Sequence, residues 1–298
     1  MFAWSETARP MSWLRVVALA GILGGMTIGV TFFAGTSPAH AQGIESDLQA
    51  FDDLTRLPEI FDVMRLEGLE NDRSLGEELF GNPEDPTWLR ALDKVYSTDR
   101  MTKIYADEMR VLLAADPLLV ADVSVFLGSE LGKSITGLEL EARRTALDPM
   151  AMGAAREVYA EILRQDKDRT ALIERLVDAA DLVDSNVSTA LNANVAFARA
   201  MAAAGNFGGA RDEEALLADV WAREPDIRAA VVDYIYPLMA LAYSPLSNDE
   251  LTAYVNFFES DAGQRYNTVL IRAFEPVMID LSQQLGAEAG RLMSGQVL

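Results

Sequence analysis

Val and Ile in this 298-residue chain rarely alternate with polar residues over a run of strand length, while Ala, Leu, Glu, Arg and Met fill the stretches between prolines. A chain written this way has helices to build from and no sheet. The prolines punctuate it. Asp85-Pro86, Asp116-Pro117 and Asp148-Pro149 each set a side-chain acceptor ahead of a proline at the first helical position, where the missing N–H breaks no bond. Ser247-Asn248-Asp249-Glu250 is a capping box, with Ser oxygen and Glu carboxylate serving amides at opposite ends of the first turn. Helices are expected near residues 44–56, 59–80, 86–97, 99–115, 117–128, 130–147, 149–165, 168–183, 187–204, 211–223, 226–243, 248–258 and 261–285. Pro237 falls inside one of them and is expected to kink or split it after Tyr236. The clearest break is NFGG at 206–209.

Within this pattern one phrase is written twice. FLGSELGKSI at 126–135 aligns without a gap on FFESDAGQRY at 257–266, an offset of 131. Phe126 matches Phe257, Ser129 matches Ser260, and Gly132 matches Gly263; Tyr105/Tyr236, Leu140/Ile271 and Ala142/Ala273 extend the register. Each copy reads as a helix ending at an aromatic residue, a turn, and a Ser N-cap with an acid just inside the next helix, at the positive end of its dipole. Gly132 and Gly263, lacking a Cβ, are expected to let another helix pass closely over that first turn. The expected fold is therefore an all-α multi-helix bundle with two pseudo-repeated helix-corner units. The related halves lie at about 88–147 and 219–285, with a helical connector at about 149–210.

The segment LTAYVNFFESDAGQRYNTV carries an apolar helix, an aromatic pair, a short turn containing Ser, and then Gly followed by polar residues. It resembles the signature helix pair of domain of unknown function twenty fifty-nine, most clearly over about 226–285 and more weakly over about 95–147. The resemblance implies an all-helical exported bacterial protein and carries no catalytic residue. The first copy departs from the pattern at Gly128 and Leu131.

The N-terminus sets the expected compartment. Arg9 and Arg15 precede an uncharged run from Val16 to Gly35 and then SPAHAQ, whose Ala39-His40-Ala41 is an A-x-A cleavage pattern. Residues 1–41 are read as a signal peptide, counted from Met1 or Met11, and 42–298 as one periplasmic all-helical domain beginning at Gln42. The alternative is a retained helix, in which Gly21, Gly25 and Gly29 form a dimerisation face and the protein is a membrane-anchored oligomer.

Cleavage would remove Arg9, Arg15 and Glu6 and take the net charge from −21 to −22. Such a surface has no clustered Lys and Arg for nucleic acid or an anionic membrane. With no cysteine, and with the single His40 inside the expected signal, the mature chain has neither thiolate nor imidazole. That excludes cysteine and histidine catalysis and the usual zinc sites, and no cofactor is expected.

What remains is carboxylates and phenols. Asp233 interrupts the apolar run AAVVDYIYPLMALAY and is expected to be buried, paired with Arg228, or turned to solvent. Asp233, Tyr234, Tyr236, Tyr243, Tyr254, Phe257, Phe258 and Tyr266 together form a candidate aromatic groove for an envelope ligand, set against their reading as plain core. Glu139 and Arg143 suit an i,i+4 pair. Asp178, Asp181 and Asp184 share a helix face and read as a solvated stripe rather than a metal site. The function expected is a non-catalytic binding or accessory role in the cell envelope, for an unknown protein or envelope ligand. The alternative is a hydrolase acting through two carboxylates across a cleft.

Overall fold

A computed structural model describes residues 38–204 and 213–296. Residues 1–37 of the expected signal, the glycine face at residues 21, 25 and 29 among them, and the NFGG break lie outside the described residues. Those residues form thirteen helices and no strand: α1 Pro38–Thr55, α2 Leu57–Phe80, α3 Pro86–Val95, α4 Thr98–Ala115, α5 Leu119–Leu127, α6 Glu130–Thr145, α7 Pro149–Gln165, α8 Lys167–Ala179, α9 Leu182–Ala204, α10 Glu213–Trp221, α11 Glu224–Tyr243, α12 Asn248–Glu259 and α13 Asp261–Gln296. No described helix is long and apolar enough to cross a membrane.

Local capping places most of these starts. The Asp85 carboxylate accepts from the amides of Thr87 and Trp88, and that of Asp148 from Met150. Ser247 and Glu250 make both bonds of the expected capping box. Asp116 departs from the pattern. Its backbone closes α4, α5 begins only at Leu119, and its carboxylate takes Nη1 of Arg265 at 2.7 Å. A cation 149 residues away outcompetes the local amides, because a charge-assisted bond is the stronger one. The expected helix over 168–183 instead ends at Ala179, where Asp181 turns the chain at φ 48° and α9 starts one residue later. Asp is among the few residues that tolerate this left-handed backbone.

Pro237 neither splits nor ends α11, which runs unbroken through it. The hydrogen bond a helical proline removes is the one to the carbonyl four residues earlier. Here that carbonyl belongs to Asp233, on the exposed face of the helix, where water can replace the lost donor.

The 36-residue α13 is the spine of the bundle. α9 packs along it, α4 packs on it as well, and α11 is held between α7, α9 and α6. The core fills with their apolar stripes, including Trp88, Tyr105, Phe61 and Phe258, all 1% exposed or less. Burial of this kind, at about 25 cal/mol per Å² of apolar surface, is the main force holding the helices together. Arg169 on α8 fastens the end of α11. It donates to the carbonyls of Tyr243 and Leu246 and to Asn248 Oδ1, so one guanidinium ties together the end of α11, the turn after it and the start of α12.

The two corners are built alike. Ser129 and Ser260 each accept from the amide of the glycine three residues on, at 3.0 and 3.1 Å, and each donates to the carbonyl of the preceding Phe at 2.6 Å. What lies over the glycines is not another helix, as expected, but the chain's own preceding turn. A Cβ on Gly132 would stand 2.2 Å from the Phe126 carbonyl oxygen, and one on Gly263 1.9 Å from that of Phe257. The corners also meet. The rings of Phe126 and Phe257 stack at 4.6 Å with 10° between their planes.

Candidate functional site

The eight residues of the expected aromatic groove divide. Tyr243, Tyr254, Phe257, Phe258 and Tyr266 gather around the stacked corner rings: Tyr254 lies edge-on to Tyr243 at 5.8 Å and to Phe258 at 5.0 Å, and Phe257 lies 5.8 Å from Tyr266. Tyr243, Tyr254, Phe257 and Phe258 are buried, so the cluster is core and opens no groove. Tyr234 and Tyr236 stay outside it, with Tyr236 stacked on Tyr159 at 5.4 Å. Asp233 is not buried. Its side chain is 63% exposed and accepts twice from Arg156, at 2.9 and 3.2 Å, while Arg228 pairs with Asp184 and Glu224 instead. The Asp178–Asp184 stripe accordingly gathers no ion site, and no group of three metal-ligating side chains occurs among the described residues.

The polar heart of the cluster is a residue read from sequence only as a surface helix partner. Glu139 Oε1 accepts from the hydroxyls of Tyr243 at 2.6 Å and Tyr254 at 2.7 Å. Burial among these rings pushes its carboxyl above the usual range, and the two phenols and nearby Arg143 only partly oppose that. Arg143 does not pair with Glu139. It makes a buried two-pronged pair with Glu67 on α2, at 2.7 and 3.2 Å. A signal for this was present: Glu139 stands four residues after Ile135 and three before Ala142, on the buried stripe of α6.

Two acids are therefore gathered at this cluster, but Glu67 is committed to Arg143. A glycosidase-type pair needs two carboxylates facing each other across a space open to substrate. A concave surface lies elsewhere. It is a groove of ≈ 850 Å³ between α9, α10 and α13. Leu191, Val195 and Ala196 of α9 and Ile279 of α13 form its apolar floor, and Leu217, Val220 and Trp221 of α10 its wall. Asn192, Arg199, Glu275, Gln283 and Gln284 place polar groups along it. Close approach of α9 and α13 makes the floor possible. A Cβ on Gly286 would lie 2.2 Å from the Phe197 carbonyl oxygen, so only glycine lets the two backbones touch there. Trp221 is 61% exposed at the rim, an apolar surface left facing solvent.

Two further acids, one buried and one half-buried, are strongly shifted. Asp72 on α2 has no exposure. Its Oδ2 accepts from Tyr96 at 2.5 Å, its Oδ1 has no partner, and burial pushes its carboxyl up to about 7. Asp52 on α1 is likewise pushed up to about 7, by burial and then by neighbouring Asp53.

No family model, curated protein or solved structure matches this chain.

Proposed function

We propose that this chain is an exported, non-catalytic binding or accessory protein of the cell envelope, and that the groove between α9, α10 and α13 is where it binds. The groove carries the reading. Its volume falls in the range of about 300–1,000 Å³ used for ligand sites, and its mostly apolar lining with a few polar groups is the composition such sites have. The A-x-A motif and the resemblance over 226–285 support the envelope as its place, and the strongly acidic composition supports a protein kept soluble there. The Phe126–Phe257 stack, two corners of the same construction laid face to face, supports an origin of the scaffold by duplication.

Native mass spectrometry of the protein released gently from its own envelope tests this. The expected result is a chain beginning at Gln42 that carries added mass, with the mass lost when Trp221 is replaced by Ala. A bare chain that steadily turned over an envelope polymer would refute the binding reading in favour of the hydrolase. An uncleaved chain would refute cleavage after Ala41 and favour the membrane-anchored alternative.

A further inference from the structure

Resting on the proposed cleavage after Ala41, we infer that Gln42 is a modification site: in the mature chain its side chain closes on its own α-amine to give pyroglutamate. α1 runs Pro38–Thr55, so the cut falls inside the start of the helix and hands its lead position to Gln42. The helix is held from further along. The Glu45 carboxylate accepts from Arg110 of α4 at 2.6 and 3.2 Å, and Leu48 and Phe51 are buried in the core. These anchors all lie beyond the cut, so α1 keeps its place and turns its new first residue to solvent, where Gln42 is exposed.

The new end is uncrowded. Gly43 follows Gln42, and a Cβ there would meet nothing within 4 Å, so no other element of the fold closes over the first residue. Glycine is also the poorest helix former after proline, so the first turn holds Gln42 loosely.

Electrostatics favours the reactive form of the amine. An α-ammonium at the head of α1 would face the positive end of the helix dipole. Glu45, the first acid after the cut, is already committed to Arg110 and does not offset that charge. The free amine gains over the ammonium, and α-amino groups ordinarily titrate at only about 7.7–8.0. That amine is the nucleophile, tethered to its target. It attacks Cδ of its own carboxamide: an N–Cδ bond forms, the Cδ–Nε2 bond breaks, and Nε2 leaves as ammonia with the proton given up by the amine. The ring has five members, nothing is oxidised or reduced, and no co-reactant is consumed. The product is a neutral lactam, which no longer sets a charge against the dipole.

The test is intact-mass spectrometry and stepwise N-terminal degradation of the protein expressed from its full chain and released from the envelope. The expected product begins at Gln42, is lighter by one ammonia and is closed to degradation, and pyroglutamyl aminopeptidase should remove one residue and open the chain at Gly43. Gln42→Asn, whose ring would have four members, should show the full mass and an open terminus. A wild-type chain beginning at Gln42 with full mass and an open terminus would overturn the inference and leave the cleavage standing. Ammonia loss that persists in Gln42→Asn, or a terminus that the aminopeptidase does not open, would place the loss at another residue and overturn it too. An uncleaved chain, or one beginning elsewhere, would overturn the cleavage and the inference with it.

Discussion

Asp72 should make this protein more stable in mild acid than in mild base, the reverse of what a surface rich in ion pairs suggests. Its carboxyl is completely buried, and one bond from Tyr96 does not offset the loss of water around the charge. With a folded value of about 7 against 3.8, the folded chain holds a proton that the unfolded chain has already released. Stability therefore falls as pH rises from about 3.8 through about 7, and levels off above that. The shift of roughly three units corresponds to about 4 kcal/mol over the whole window, and to about 2–3 kcal/mol between pH 5 and pH 8. Exposed acids held low by their partners, such as Glu59 beside Arg56 and Arg144, lose their contribution only below that interval. Asp52 acts with the same sign, so a substitution is needed to isolate Asp72.

Asp72→Asn does so. It keeps the acceptor for Tyr96 and removes the ionisation. Any cost of its new N–H groups is independent of pH, so the readout is the slope and not the absolute value. Urea denaturation followed by circular dichroism should show the wild-type free energy dropping from pH 5 to pH 8, and the variant's drop smaller by about 2–3 kcal/mol. A wild-type curve that is flat or rising across this interval, or a variant that keeps the full slope, would refute the reasoning.

Gly263→Ala forces a Cβ against the Phe257 carbonyl and should lose about 1–3 kcal/mol in thermal melts, as should Gly132→Ala at the other corner. Gly153→Ala in α7, where a Cβ meets nothing within 4 Å, should gain about 0.5–1 kcal/mol, and equal effects at the three sites would sink the corner argument. Glu139→Leu strands two phenol hydroxyls and should cost about 2–5 kcal/mol in urea titrations, whereas Glu139→Gln keeps an acceptor and should cost less. Arg143→Met leaves Glu67 buried without its partner, a loss of about 3–5 kcal/mol that the double variant with Glu67→Leu should largely recover; additive losses would mean the pair is not coupled.

The parts of this fold that were legible in the sequence are those decided within a few residues. Asp85, Asp148, Ser129, Ser247 and Ser260 all cap as written, because each bonds amides no more than three positions away. Asp116 looked the same and failed, since Arg265 reaches it from across the fold. Asp233 was left open for a different reason. Of burial, pairing with Arg228 and a turn to solvent, the structure takes the last, with Arg156 as the partner; Ala229 and Val232 are themselves exposed, so the run is apolar without being a buried face. Hydropathy averaged along a helix does not say which side of it meets solvent, and only the turn-by-turn spacing of Asp226, Ala229 and Asp233 does.

The groove is the extreme case of that limit. The aromatic residues that drew attention in the sequence are large enough to fill the space between corners, and so they close it. A cavity forms where side chains are too small to fill the space, and its markers here are Ala196, Ala200 and Ala287, ordinary letters in a helical chain. Their meaning arises only when α10 is laid across the α9–α13 pair and the small side chains leave the space between them open. An apolar furrow beside an exposed Trp221 is the kind of surface that binding covers, and this makes a binding assay the more direct question to put to the protein than any assay for turnover.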